Sequence, residues 1–162
     1  MHIATNSEII DISLEVKTAE LAKNFSKILK KGDIVFFHGE IGVGKTTFIR
    51  YLVNHLQANN HLNPTEVTSP TFNLVNEYDV GIFVIQHYDL YRIKSSDETK
   101  NIGLLENQKE IITLIEWPEK IDNKIDNKID NKIDLFFEYS EDMNKRFLFI
   151  KGLSKEKLNE IN

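Results

Sequence analysis

The octapeptide Gly39-Glu40-Ile41-Gly42-Val43-Gly44-Lys45-Thr46 carries the complete pattern GxxxxGK[ST]. A polyphosphate is densely negative. It is held where a loop of little side-chain bulk turns backbone N–H groups inward and a following helix adds the positive end of its dipole. Gly39, Gly42 and Gly44 permit that geometry, with Glu40, Ile41, Val43 and Thr47 completing the cradle. Lys45 supplies a mobile ammonium for the β- and γ-phosphates, and the Thr46 hydroxyl supplies an oxygen for magnesium. Four specified positions match by accident in a chain this long on the order of once in two hundred sequences. The flanks fit as well. Ile34-Val35-Phe36-Phe37 is a short continuous apolar run of the kind that forms a buried parallel strand, and Ile49, Leu52, Val53 and Leu56 recur at i, i+3, i+4, i+7. Strand, loop and helix in that order predict a nucleotide site.

The expected fold class is therefore α/β: a P-loop NTPase-like three-layer α/β/α arrangement with a mixed, mainly parallel central sheet and antiparallel hairpin additions. With 162 residues, one domain over 1–162 is expected. The chain has no cysteine, which excludes disulfides, iron–sulfur clusters and thiolate zinc sites and fits a reducing interior. No stretch approaches a membrane span and the N-terminus lacks a signal-peptide pattern, so a cytoplasmic location without membrane contact is expected. The formal net charge of −5 argues against binding nucleic acid through the whole surface; any RNA would be held by a partner.

Outward from the loop, Ile10, Ile12, Leu14 and Val16 alternate with Asp11, Ser13 and Glu15, predicting a strand. Thr18 is positioned to cap a helix with apolar positions Leu21, Ala22, Phe25, Ile28 and Leu29 that stops at Gly32. Residues 58–70 read as a long loop. Strand-like runs at 71–78 and 82–88 around Asp79-Val80-Gly81 predict a hairpin, taken as an antiparallel insertion. Ser95 and Glu98 form a capping-box pattern opening a helix toward Leu105. Ile111 to Ile115 reads as a second buried strand, ending at Glu116. Runs at 135–139 and 146–151 predict a closing hairpin, followed by a short polar tail with helical character. The Ile-Asp-Asn-Lys array over 121–134 is read as a partly ordered loop in preference to a helix, because Asn and Asp are poor in helix interiors and a four-residue period drifts around a 3.6-residue helix.

A metal-assisted phosphoryl transfer also needs acids facing the loop, and the carboxyl ends of parallel strands are where they stand. Asp89 and Glu116 are the two candidates. With them the residues reach a resemblance: GEIGVGKTTFIR, TSPTFNLVNEY, HYDLYRI and LIEWPEK, in that order, are similar to the TsaE (YjeE) family of bacterial ATPases, which supports threonylcarbamoyl modification of the adenosine beside the tRNA anticodon.

The resemblance implies catalytic roles for Lys45, Asp89, Glu116, Ser69 and Thr71, magnesium ligation by Thr46 and Glu116, and nucleotide contact by Trp117. It implies a γ-phosphate switch at Ser69-Pro70-Thr71 and, more loosely, nucleotide contacts from Arg146, matching a basic residue that opens the last strand, and from Glu15 with Thr18 near the base-binding side. ATP and Mg2+ are the implied cofactors, and TsaD and TsaB the implied partners, with tRNA reached through them and a monomer expected in isolation. Glu40 stands where the family usually has aspartate and Val43 where it has alanine; neither removes a cradle glycine. Simpler readings stand beside these. Asp89 pairs with Arg92, Ser69 and Thr71 merely shape a turn, Glu116 and Trp117 are surface residues, and Tyr88 and Tyr91 are core or partner surface. His87 is read as packed near the site, since no second histidine stands at ligand spacing and magnesium prefers oxygen. Rival functions are a small-molecule or nucleoside kinase and a nucleotide-sensing module that does not hydrolyse.

Overall fold

The apolar run before the octapeptide becomes the middle strand of a sheet, and the amphipathic run after it becomes the helix that covers that strand. A computed structural model describes residues 6–162. In chain order the elements are β1 (Ile10–Asp11), α1 (Glu15–Ser26), β2 (Ile34–His38), α2 (Lys45–Asn59), β3 (Val75–Asp79), β4 (Val84–Asp89), β5 (Ile112–Glu116), α3 (Asn123–Asp126), β6 (Lys132–Tyr139), β7 (Arg146–Lys151) and α4 (Lys155–Ile161). The strands join one sheet in the order β1-β7-β6-β2-β5-β4-β3. β6, β2, β5 and β4 run parallel, with β3 and β7 antiparallel at the flanks. Each expected hairpin thus gives one strand to the parallel centre and one to its margin.

Period two divides the central strands between two cores. Val35, Phe37, Ile85, Ile112 and Leu114 face α1, α2 and α4, where Phe48 meets Phe25, Phe37 and Phe137 edge-on at 5.7–5.9 Å. Ile34, Phe36, Tyr88 and Ile115 face the opposite side. That third layer is made of turns, two 3-10 segments and the four residues of α3.

Several boundaries differ from expectation. The first strand is two residues long, because the Asp11 carboxylate accepts from the Ser13 N–H at 2.9 Å and turns the chain, leaving Leu14 and Val16 exposed. Glu15 opens α1, where an acid suits the helix dipole, and Thr18 is buried inside that helix instead of capping it. α1 ends at Ser26, short of Gly32, as the Ser26 hydroxyl donates to the Lys23 carbonyl and the chain tightens into turns. α2 runs on to Asn59, so the following loop is slightly shorter than expected. The 71–78 run becomes a strand only from Val75, because residues 71–73 form a turn, and β4 begins at Val84. β4 is also a parallel member of the sheet, not part of an antiparallel insertion. The capping box at Ser95 and Glu98 forms, but it opens a 3-10 helix of five residues and stops well before Leu105, with Gly103 and Leu105 both at positive φ.

The Ile-Asp-Asn-Lys array is more ordered than a loop reading allows. Asp122 caps α3 by accepting from the Lys124 N–H at 2.8 Å, and Ile121, Ile125 and Ile129 pack on the second core. The last repeat is already strand, with Ile133 in the first core. Replacing Ile121 by Ala is expected to lower the unfolding free energy by about 2 kcal/mol in urea denaturation. Lys124→Ala is expected to change it by less than about 0.5 kcal/mol; equal effects would show that the array does not cover the sheet.

Candidate active site

Parallel pairing brings three strand ends together. Glu116 stands opposite both Phe37 of β2 and Asp89 of β4, and the octapeptide leaves β2 just beyond. The loop closes because Gly39 takes φ 141°, where a Cβ would lie 2.6 Å from the Phe137 carbonyl oxygen and 2.9 Å from Val43 Cγ1. Gly44 caps α2 at φ 119°. Both are positions that a larger residue would strain.

Lys45 is 5% exposed, and its ammonium donates to the carbonyls of Gly39 and Glu40. It also lies 4.2 Å from the centroid of the Trp117 ring. Burial pulls its pKa below the ordinary lysine value, opposed by the negative charges of Glu116, Asp89, Glu119 and Glu40. The Thr46 hydroxyl donates to Glu116 Oε1 at 2.9 Å. The other oxygen of that carboxylate, Oε2, lies 3.0 Å from His87 Nε2. The Ser69 hydroxyl donates to Asp89 Oδ2, while Asp89 Oδ1 accepts the Tyr91 N–H at 2.9 Å. Thr71 donates its hydroxyl to the Ser69 carbonyl at 3.3 Å.

Of these groups Lys45, Thr46, Ser69, Thr71, Asp89, Tyr91, Glu116 and Trp117 line a cavity of about 340 Å³, completed by Ile41, Gly42, Gly44 and Thr47, while His87 lies behind Glu116 and outside the lining. Two residues beside it hold left-handed backbone: Trp117 at φ 61°, directly before Pro118, and Leu74 at φ 63°, whose N–H bonds the Pro70 carbonyl at 2.9 Å. Such strain persists where surrounding contacts fix it, and it concentrates at functional sites.

Other expected positions lie elsewhere. The Val43 side chain is buried in the first core. Glu40 is exposed and contributes its carbonyl to Lys45. Glu15 binds Arg50 at 3.1 Å and Tyr51 at 2.6 Å on the outside of α1 and α2. Arg146 opens β7 with its guanidinium 5.6 Å from the Tyr139 ring centroid. None of these four side chains lines the cavity. Asp89 takes Ser69 and Tyr91 as partners, and Arg92 rests on the exposed Phe72 ring at 4.3 Å, so the pairing of Asp89 with Arg92 is not formed. Glu116 is 2% exposed, not a surface acid. Tyr88 is core, whereas Tyr91 lines the cavity and lies 4.9 Å from Trp117. Sequence reasoning missed the contact between His87 and Glu116; its trace was the two-residue spacing of His87 and Asp89 on one strand face.

The donor set suits magnesium: a threonine hydroxyl and a buried carboxylate, both oxygen, beside a phosphate cradle that would supply the rest of an octahedron with water. Among the described residues Lys45 is the only cationic side chain lining the cavity.

The fold is shared with the crystal structure of Bacillus subtilus YdiB, at a TM-score of 0.70 and 19% identity, with 99% of this chain and 97% of that one covered. Curated relatives include proteins named tRNA threonylcarbamoyladenosine biosynthesis protein TsaE. The one from Rickettsia felis is 43% identical, with 66% of this chain and 60% of that protein covered. The one from Rickettsia bellii is 42% identical, covering 72% and 77%. The one from Aquifex aeolicus is 38% identical, covering 65% and 73%. The chain thus spans about three fifths of the Rickettsia felis relative. Residues 12–147, which include the phosphate loop, the 69–71 segment and both strand-end acids, match the family described as Threonylcarbamoyl adenosine biosynthesis protein TsaE, and the chain belongs to that family.

Proposed function

We propose that this protein is a magnesium-dependent ATPase of low intrinsic turnover that drives, with TsaD and TsaB, the threonylcarbamoyl modification of the adenosine beside the tRNA anticodon, as a single domain in the cytoplasm. The pathway is supported by family membership and the relatives' names. The observation that carries the ATPase reading is the meeting of Lys45, Thr46, Asp89 and Glu116 in one cavity at the ends of parallel strands.

In this reading the cradle amides and Lys45 bind the phosphates, and Lys45 gives up its loop carbonyls for phosphate oxygens. Magnesium, held by Thr46 and Glu116, would neutralise charge developing on the β- and γ-phosphates. Asp89 orients the attacking water. Its Oδ2 is bonded to the Ser69 hydroxyl, so it becomes available when the 69–71 segment shifts toward the γ-phosphate. That shift couples hydrolysis to the partner surface, as ordered and released switch segments do.

Phosphate release is expected to be slow in the wild type and to fall on the order of 10²-fold in Asp89→Ala and in Glu116→Ala. Binding without release would favour the sensor, and transfer of the labelled phosphate to an organic acceptor would favour a kinase. Co-purification with TsaB and TsaD is expected with ATP and not without nucleotide; a wild-type turnover unchanged by the assembled partners would refute the coupling.

Lys45 also predicts a pH dependence. Its folded-state pKa is lowered, so the cost of burying the charge is fully present below that value and disappears as pH rises toward the ordinary 10.5. Urea denaturation of the nucleotide-free protein is expected to show wild type gaining stability relative to Lys45→Met across that alkaline window. A loss would mean that the carbonyl and Trp117 contacts of the charged form outweigh its burial.

A further inference from the structure

We infer that His87 is a positioning residue that holds the Glu116 carboxylate in the orientation needed for the metal, an inference that rests on the magnesium-nucleotide reading of the site. His87 lies on β4, two residues before Asp89, and its ring is 0% exposed. An ionised carboxylate can only accept, so the hydrogen sits on Nε2 and is donated to Glu116 Oε2 at 3.0 Å. Nδ1 is buried and has no partner. The polar capacity of the ring is thus spent on Glu116 alone, in a pocket otherwise suited to an apolar side chain, since Ile85 and Leu114 of the same sheet face belong to the first core.

Glu116 is gripped from both sides, Oε1 by Thr46 at 2.9 Å and Oε2 by His87. Without His87 one oxygen would lie buried without a donor, and the carboxylate would rotate about its terminal torsion to find one. A rotated Glu116 leaves the Thr46 side, where the metal would bind. The role belongs to the donor and its reach, so a glutamine, whose side-chain N–H extends to a similar point, replaces it and a leucine does not.

The chain has one tryptophan, Trp117, and Lys45 lies over its ring, so its fluorescence reports on the cavity. Magnesium is titrated into protein saturated with a non-hydrolysable ATP analogue, and nucleotide affinity is measured separately in EDTA. His87→Leu is expected to raise the half-saturating magnesium about tenfold, with EDTA affinity unchanged, and His87→Gln to restore it to within about threefold of wild type. Thermal unfolding is followed for each variant, and His87→Asn, polar but a methylene too short, takes the place of His87→Leu if the latter does not fold. A wild-type magnesium response in the leucine or asparagine variant, or a glutamine variant as impaired as they are, overturns the positioning role and leaves the nucleotide reading intact. A wild-type protein with no magnesium response at all overturns both.

Discussion

Everything in the candidate site depends on the register in which β5 lies between β2 and β4. Phe37, Glu116 and Asp89 form one rung of the parallel ladder, and alternation turns Val35, Phe37, His87, Asp89 and Glu116 toward α2. A slip of one residue would send Glu116 to the far face and break its bond to Thr46. The register is therefore a chemical constraint as well as a packing one. It is protected by burial on both faces of β5: all five of its residues are buried, the apolar Ile112, Leu114 and Ile115 together with Thr113 and Glu116. A strand with two buried faces has no solvent side to slip toward.

The two covering layers are unequal, and that inequality decided what could be read from the chain. α2 announces itself through four apolar positions at helical spacing, and its start is fixed by the glycines before Lys45. The opposite layer is assembled from turns whose apolar residues have no sustained period: Leu90, Ile93, Leu104, Ile121 and, more loosely, Ile125 and Ile129. In the Ile-Asp-Asn-Lys array, propensity alone argued for a loop, but the buried Ile121, with Ile125 and Ile129 partly buried against the same cluster as Ile34 and Phe36, outweighs the poor helix formers between them. The same competition shortened β1, where alternation continued to Val16 but the turn made by Asp11 and Ser13 ended the strand first.

The site was legible to the extent that its chemistry is local. Lys45 and Thr46 follow from eight consecutive residues, and Asp89 and Glu116 from the rule that acids at strand ends face the ligand. Pairings across the sheet were not legible: Thr46 and Glu116 are 70 residues apart, and His87 and Glu116 are 29 apart. Only register makes them neighbours. Nor could sequence show that Glu15 would be satisfied by Arg50 and Tyr51 on the outer surface, away from the cavity.

Asp89 shows how the parts act together. Both of its oxygens are occupied, one by the Ser69 hydroxyl and one by the Tyr91 N–H, and its own N–H is bound to the Leu74 carbonyl at 3.1 Å. Ser69 and Leu74 bracket the segment whose turn is closed by the bond from Leu74 to Pro70, with Leu74 in strained left-handed backbone. A movement of that turn toward a bound phosphate cannot leave Asp89 undisturbed, because the same few atoms hold both. Tyr91, next to it, lies against Trp117, which lies against Lys45. The acid, the 69–71 segment and the lysine thus form one contiguous network. Under the proposed reading, a γ-phosphate that draws Lys45 and Ser69 from their present partners frees Asp89 in the same event, so preparing the water and signalling the nucleotide state are a single rearrangement.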